Sequence, residues 1–233
     1  MTHRRLTAAF ALTAGCLTAL PALAEREPMD FAIEDGQVQL AETFATKVEV
    51  LGVAITSGGQ QLPVTLCVHI GDDAFEPFGG YASPAQTGNL NDGHRRSFII
   101  DRVFDPSDVI TIEAQSWYGS DLSSAQDADY GTLYQRDSHE QSDFVRVLRH
   151  GDAVPDVSGF DGQADVAAYL DLYIDSTSNT MRLLENQVIY LYELGTSSAT
   201  SSAADFQDLV VLVTLGKSPE ELAQPYSLEA SFD

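Results

Sequence analysis

The sequence predicts an all-β protein, an antiparallel β-sandwich or jelly roll with one short helix around residues 163–174. Three observations favour this fold class. Runs rich in β-branched and aromatic residues recur along the chain, turn-forming residues separate these runs, and only one segment has apolar residues at helical spacing. Many short strands bounded by turns usually fold into two packed antiparallel sheets.

The clearest predicted hairpin lies in the first third of the chain. Residues 47–56 are rich in valine and isoleucine and end in Ser57-Gly58-Gly59, after which a second apolar run covers residues 64–70. Asp105-Pro106-Ser107-Asp108 forms a later turn, because proline fixes one backbone angle and aspartate accepts local hydrogen bonds. The remaining predicted strands cover residues 97–104, 109–117, 144–148, 180–183, 188–194 and 209–215.

The rest of the chain is predicted to be one helix and two long loops. Residues 163–174 have apolar side chains at helical spacing. Residues 71–91 and 119–142 are predicted to be loops, and loops of this length often carry function. No linker-like stretch or internal repeat divides the sequence, so residues 25–233 are predicted to form one domain.

Residues 1–24 have the three parts of a cleavable secretory signal peptide. His3-Arg4-Arg5 forms a basic start, residues 6–20 form an uncharged apolar run, and Ala22-Leu23-Ala24 supplies small residues for cleavage. The apolar run is shorter than the roughly 20 residues that span a bilayer as a helix. The sequence therefore predicts a periplasmic or secreted bacterial protein, with no integral membrane segment in a mature chain that begins at Glu25.

The two cysteines bear on this prediction differently. Thr13-Ala14-Gly15-Cys16 resembles a lipobox, the acylation site of bacterial lipoproteins. The chain stays apolar through Leu23 instead of turning polar at once, so cleavage is favoured over lipoprotein anchoring at Cys16. Only Cys67 then remains, which excludes an internal disulfide, and its apolar neighbours predict a small buried residue.

The strong acidity of the chain excludes some classes of partner. Twelve basic and 35 acidic residues give a net charge of −23, and loss of residues 1–24 removes two arginines and no acid, which gives −25. Nucleic acid is therefore not an expected partner, because its binding requires a basic patch. The charge has two compatible interpretations: mutual repulsion that keeps the protein in solution, or carboxylates that bind a hard cation such as Ca²⁺.

Three acidic residues near the C-terminal end are the candidate metal ligands. Glu193 ends one predicted strand and Asp205 and Asp208 precede the next, so their carboxylates can converge at one end of a sheet. Converging carboxylates repel one another, and Ca²⁺ relieves the repulsion. Alternatively, Asp205 and Asp208 cap the loop by accepting backbone N–H bonds. Glu34 and Asp35 would complete the metal site if the first and last strands are neighbours.

The same segment carries a resemblance to a family. Residues 187–195 and a small-residue loop precede Asp205-Phe206-Gln207-Asp208-Leu209-Val210. This pattern resembles an uncharacterised family of exported bacterial β-sandwich domains whose last hairpin carries an acidic residue and then Asp-aromatic-Asn/Gln-Asp-Leu-Val. The resemblance implies a β-sandwich and a calcium-linked role outside the cytoplasm. The chain departs from the family pattern at Gln207, where Asn is commoner, and at Leu194, where a second acid is expected.

The function that the sequence predicts is a non-catalytic binding or structural module that Ca²⁺ stabilises. The alternative is a carbohydrate-binding module or a polysaccharide-acting hydrolase, with an extracellular polysaccharide or surface protein as partner. Tyr81, Trp117 and Tyr118 border the long loops and are the candidate ligand-binding residues, because sugar rings stack on aromatic faces. The other interpretation is that these rings hold the loops against the sandwich. No common catalytic motif occurs in the sequence.

Overall fold

A computed structural model provides the structure of the protein, and it describes residues 28–80, 88–118, 132–140, 142–155, 169–201 and 204–225. The predicted signal peptide, Tyr81 and the first half of the predicted helix lie outside these ranges. In the part that is described, no helix has the length and apolar character needed to cross a membrane.

Fifteen strands lie in the described residues, together with two 3-10 turns and a one-turn helix near the end of the chain. The 3-10 turns are Ser142–Phe144 and Asp171–Tyr173, and the helix is α1 (Pro219–Leu222). The strands are β1 (Phe31–Glu34), β2 (Gln37–Leu40), β3 (Ala45–Gly52), β4 (Thr56–Ser57), β5 (Gln60–Gln61), β6 (Val64–Ile70), β7 (Asp73–Phe75), β8 (Arg96–Ile99), β9 (Val109–Trp117), β10 (Thr132–Asp137), β11 (Val145–Leu148), β12 (Ile174–Asp175), β13 (Thr180–Met181), β14 (Gln187–Tyr192) and β15 (Leu209–Gly216).

Most of these strands form two antiparallel sheets. The first sheet has the order β1-β2-β9-β6-β7, and β10 pairs with the far end of β9. The second sheet has the order β11-β14-β15-β3-β8. Two small ribbons, β4-β5 and β12-β13, stand apart from the sheets. The predicted all-β, antiparallel sandwich is confirmed.

The first sheet is buried on one face only. Strand β9 alternates strictly between buried and half-exposed residues over most of its length, as a half-buried antiparallel strand does. Ile110, Ile112 and Ala114 point inward, where they join Val48 and Val211 of the second sheet in the main hydrophobic core. Glu113 and Gln115 therefore lie on the outer face of this sheet.

The second sheet is buried on both faces at its centre. Every residue of β14 and β15 is buried. A second hydrophobic cluster covers the outer face of this sheet and brings Leu170, Tyr173 and Met181 against Leu191 and Leu212. These strands are therefore continuous apolar runs rather than alternating ones, as expected when both faces are covered.

The covering layer comes very close to the sheet at one glycine. A Cβ atom added to Gly52 at the end of β3 would lie 2.3 Å from the ring of Tyr169. The Tyr169 hydroxyl also donates to the Val53 carbonyl oxygen at 3.3 Å. The absence of a side chain at position 52 therefore lets Tyr169 of the second hydrophobic cluster pack on the sheet.

Several predicted boundaries differ from the structure. Strands β7 and β10 lie in segments 71–91 and 119–142, which were predicted to be loops, and β1 and β2 were not predicted at all. These strands are short or polar and form by pairing with the edges of other strands, so they carry little hydrophobic pattern.

The helical prediction is confirmed only at its described end. Tyr169 and Leu170 are helical, and Asp171–Tyr173 continues as a 3-10 turn, but Ile174 already begins β12. Helix α1 was not predicted, although its start has a recognisable signal. Ser218 accepts the Glu221 N–H at 3.3 Å, with a proline at the first helical position.

Two stacked tyrosines in the main core differ in whether their buried hydroxyl groups are hydrogen-bonded. The Tyr192 hydroxyl donates to the Ile112 carbonyl oxygen at 2.7 Å, whereas the fully buried Tyr190 hydroxyl has no hydrogen-bond partner among the described residues. We expect Tyr192→Phe to lower the free energy of unfolding by about 1 kcal/mol, because the hydrogen bond to the Ile112 carbonyl is lost, although that oxygen still accepts the Ser138 N–H at 2.9 Å. Tyr190→Phe should leave stability unchanged or raise it, because it removes a buried polar group. Urea denaturation measures the free energy of unfolding of both variants. An equal decrease in the two would contradict the difference in hydrogen bonding between Tyr192 and Tyr190.

Candidate functional site

The structure brings Glu193, Asp205 and Asp208 together in what is here called the acidic hairpin end. Tyr192 and Leu209 are the last paired residues of the hairpin formed by β14 and β15, so Glu193 and Asp208 face each other just beyond it. Both are buried, with 1% and 6% of their surface exposed. Asp205 lies on the returning loop and is half-buried.

The carboxylate of Glu193 organises the loop between the two strands. Its Oε1 atom accepts the Gly195 N–H at 2.9 Å, and its Oε2 atom accepts the N–H groups of Asp205 at 3.0 Å and Phe206 at 3.4 Å. Phe206 has a φ of +57°, in the left-handed region that non-glycine residues rarely adopt. The loop is thus folded back so that its N–H groups point at Glu193.

The two aspartates also accept backbone N–H groups. Asp208 Oδ2 accepts the Leu194 N–H at 2.5 Å. Asp205 accepts from Gln207 twice, from its backbone N–H at 3.4 Å and from its side-chain amide at 2.7 Å. This is the loop-capping arrangement that the sequence offered as the alternative to a metal site, and it extends to Glu193, for which capping was not predicted.

The electrostatics of the acidic hairpin end depend mainly on burial. Burial raises the pKa of Asp208 well above its usual range, and the charge of Glu193 raises it further. Burial is also the main reason that the pKa of Asp205 is raised, with a further contribution from Glu193. Ionisation of these two aspartates is therefore less favourable than it is in water.

Two arginines of neighbouring strands approach this site. Arg136 of β10 donates to the Thr196 carbonyl oxygen at 3.1 Å, and its guanidinium lies 4.0 Å from the ring centre of Phe144. Its charge interacts favourably with Glu193, although burial lowers the pKa of Arg136. Arg146 of β11 lies 4.3 Å from the ring centre of Phe206. The protein thus supplies positive charge of its own beside the carboxylates.

Backbone N–H groups engage several carboxylate oxygens of the acidic hairpin end that a Ca²⁺ ion would also use. Ca²⁺ takes six to eight oxygen ligands, whereas backbone N–H groups already occupy both oxygens of Glu193 and one of Asp208. A search of the described residues finds no group of three or more histidine, cysteine or acidic side chains placed to hold a metal ion. Calcium binding stays a prediction from the sequence, and the hydrogen bonds favour the capping interpretation.

Glu34 and Asp35 lie in a different sheet from the acidic hairpin end. They are at the turn between β1 and β2 in the first sheet, whereas β15 lies inside the second sheet. The Asp35 carbonyl oxygen accepts a hydrogen bond from His139 Nδ1 at 3.1 Å. The prediction that the first and last strands are neighbours is therefore wrong.

The predicted aromatic residues have three different positions. Trp117 is only 5% exposed, and its indole N–H donates to Thr65 Oγ1 at 2.9 Å. It therefore packs on the sheet and is not an open stacking surface. Tyr118 is 47% exposed, and Tyr81 lies outside the described residues.

Trp117 nevertheless borders a depression on the outer face of the first sheet, here called the outer-sheet groove. Its volume is about 190 Å³, and it is lined by Thr65, Leu66, Cys67, Glu76, Gly80, Glu113, Gln115 and Trp117. The side chains are brought together because β6 pairs with β9 in a register that sets Thr65 opposite Gln115 and Cys67 opposite Glu113. Sequence reasoning missed Glu76, Glu113 and Gln115, since this register is not visible in the sequence.

Neutral amides hold the Glu113 carboxylate in the outer-sheet groove. Gln115 donates to Glu113 Oε1 at 3.1 Å, and Gln135 of β10 donates to Oε2 at 2.6 Å. Burial, together with the charges of Glu113 and Glu76, raises the pKa of the Cys67 thiol to about 11. Cys67 is therefore a neutral thiol at physiological pH and is unsuited to act as a nucleophilic thiolate.

Fold and sites together define an antiparallel β-sandwich with a buried acidic hairpin end and a polar groove on the outer face of one sheet. Comparison of the chain with protein-family models, with curated proteins and with solved structures found no match.

The role of Glu193 as an acceptor of loop N–H groups is open to a direct test. Glu193→Gln replaces one acceptor oxygen with an NH₂ group, so at least one N–H of Gly195, Asp205 or Phe206 loses its partner. We expect the free energy of unfolding to fall by about 1–3 kcal/mol, measured by urea denaturation. Asp205→Asn is the matched control, because the Asp205 side chain is half-buried and accepts from Gln207, and this substitution should lower the free energy of unfolding by less. A larger loss in the control would show that Glu193 does not organise the loop.

Proposed function

We propose that the chain is an exported, acidic β-sandwich that works as a non-catalytic binding module. Support for export comes from the signal-peptide pattern in residues 1–24 and from the likeness of residues 205–210 to exported sandwich domains. Support for binding comes from the outer-sheet groove, which sets carboxylates and an amide side by side in a concave surface. This groove is the observation that carries the proposal, because ligand sites are concave and have a few fixed polar groups.

The chemistry of the groove favours binding over covalent catalysis. Its one thiol, Cys67, is kept protonated by burial and by two neighbouring carboxylates. Glu113 accepts hydrogen bonds from two neutral amides, so its position is fixed before any ligand arrives. Fixed polar groups of this kind lower the ordering cost of binding.

Carbohydrate is the class of ligand that we propose for the outer-sheet groove. Sugars present hydroxyl groups that both donate and accept, which matches the Glu76 and Glu113 carboxylates and the Gln115 amide. Two carboxylates beside one groove are also what glycoside hydrolysis uses. A hydrolase would release reducing sugar from a polysaccharide that the groove binds, and a binding module would not.

Export is tested by the mass of the mature protein. Expression of the full chain in a Gram-negative host should yield a periplasmic or secreted product that begins at Glu25, measured by intact mass spectrometry. Ala24→Asp is the control, because cleavage needs a small neutral residue at this position, and it should accumulate the precursor. A product acylated at Cys16 would replace this proposal with lipoprotein anchoring.

Binding through the outer-sheet groove is tested with two substitutions that spare the core. We expect Glu113→Gln and Gln115→Ala to weaken binding to a polysaccharide panel by at least about tenfold, or about 1.4 kcal/mol. Glu34→Gln is the control of matched charge, since Glu34 is exposed at the edge strand of the same sheet. Trp117→Ala is avoided because Trp117 is buried and bonded to Thr65. Calorimetry measures the affinity of each variant. Equal affinities in all variants would exclude the outer-sheet groove as the binding site, and absence of binding to every polysaccharide in the panel would exclude carbohydrate as the ligand.

A further inference from the structure

Strand β8 is a free edge of the second sheet in the part of the chain that the structure describes. It pairs with β3 on one side, and no described strand lies on its other side. The Ile100 N–H donates to the Thr46 carbonyl oxygen at 3.0 Å. Bonded pairs alternate along an antiparallel ladder, so Ser97 and Ile99 direct their backbone N–H and C=O groups away from β3. These groups are available to a further strand.

The core-facing side of this edge leaves apolar surface uncovered. Phe98 lies opposite Val48 of β3, which belongs to the main hydrophobic core. Paired residues share one face of a sheet, so Phe98 points to the core side, yet 42% of its surface is exposed. An uncovered edge with an apolar side chain is a place where other chains pair and aggregate. A further strand would remove this liability and bury Phe98.

The last eight residues of the sequence have the pattern of a strand that fits this edge. Residues 226–233 lie outside the described residues. Their apolar members are Tyr226, Leu228, Ala230 and Phe232, and their polar members are Ser227, Glu229, Ser231 and Asp233. Strict alternation of this kind is typical of a strand with one buried face. Beside β8, the apolar set would cover Phe98, and the polar set would face solvent.

The described chain leads this segment to one particular end of β8. Helix α1 contacts β15 and β3, and a Cβ atom added to Gly216 would lie 2.9 Å from Leu222 Cδ2. Gly216 pairs with Ala45 at the start of β3, which lies beside the end of β8. A strand beyond β8 would lie two strand spacings from β3, about 10 Å, which residues 223–225 span when extended. A segment that leaves α1 therefore meets the end of β8 and runs back along it in the antiparallel direction.

The charges of the two segments favour the same direction. The chain has 12 basic and 35 acidic residues, yet Arg95, directly before β8, and Arg96, its first residue, are adjacent. Arg95 is exposed. An antiparallel segment that starts beside the end of β8 brings its last acid, Asp233, toward Arg95. Opposite charges on neighbouring strands attract, so the edge and the segment are complementary.

We propose that residues 226–233 add to the free edge of β8 as an antiparallel strand of the same molecule. The interaction surface is the outer edge of β8, and the occupant is the segment that follows α1. This strand would cover Phe98 and prevent other chains from pairing with the second sheet. The inference concerns a different part of the molecule from the outer-sheet groove and does not depend on the proposed function.

Hydrogen exchange of the unmodified mature chain tests this pairing without any substitution. The amides of Ser97 and Ile99, here called the edge amides, would donate to the added strand. They should exchange at least about tenfold more slowly than the same amides in the unfolded chain. Exchange of both edge amides at the unfolded rate would overturn the proposal.

A pair of matched variants tests which face of the segment is buried. Leu228→Asp combined with Phe232→Asp places two charges on the apolar face and should lower the protection of the edge amides by at least about tenfold. Ser227→Asp combined with Ser231→Asp is the control, because it adds the same charge to the polar face and should keep the protection. The Val211 amide at the centre of β15 should exchange equally in all three proteins, which shows that the sandwich stays folded. Equal protection of the edge amides in the two variants would overturn the proposal.

Dilution distinguishes a segment of the same molecule from a segment of a second copy. Pairing within one molecule does not depend on protein concentration, so the protection of the edge amides should stay constant over about a hundredfold dilution. Sedimentation at the same concentrations reports the oligomeric state. Protection that disappears as a dimer dissociates would assign the strand to a second copy and would overturn the proposal.

Discussion

Burial of the hairpin formed by β14 and β15 on both faces is the constraint on which the rest of the structure depends. β15 pairs with β14 on one side and with β3 on the other, and hydrophobic clusters cover both faces of the strands. Water cannot reach polar groups along this hairpin. Each polar group therefore forms a hydrogen bond within the protein or remains buried without one, which is unfavourable. Tyr192 and Tyr190 illustrate the two outcomes in the same strand.

The acidic hairpin end follows from the same constraint. The strands stop at Tyr192 and Leu209, but the hydrophobic layers extend past them and enclose Leu194 and Phe206. A charged Glu193 in this setting needs several donors, and the loop supplies them by turning its N–H groups inward. The left-handed φ of Phe206 belongs to this arrangement, because the backbone must reverse there to present two successive N–H groups to one oxygen.

Sequence reasoning predicted the parts of the fold whose hydrophobic pattern is local. The long strands β3, β6, β9 and β15 were predicted near their observed places because each is a run of β-branched and other apolar residues. The strands β7 and β10 were missed because pairing with β6 and β9, rather than their own composition, makes them strands. The convergence of Glu193 and Asp208 could be foreseen from the hairpin. Their burial could not, because it depends on how segments distant in the sequence pack around the hairpin end, and no local pattern specifies that packing.

The acidic residues of the chain lie in different environments, as Glu113 and Glu193 illustrate. Glu113 lies on the outer face of a half-buried sheet, where neutral amides fix it beside an open groove. Glu193 lies beyond a hairpin that is covered on both faces, where it accepts backbone N–H groups and where Asp208, a second buried acid, lies opposite it. The same type of side chain lines a groove in the first place and holds a loop in the second. A net charge of −23 sums over both kinds of environment, so the total charge does not show which carboxylates are exposed and which are buried. The pairing register places the first glutamate, and the N–H groups of the returning loop hold the second.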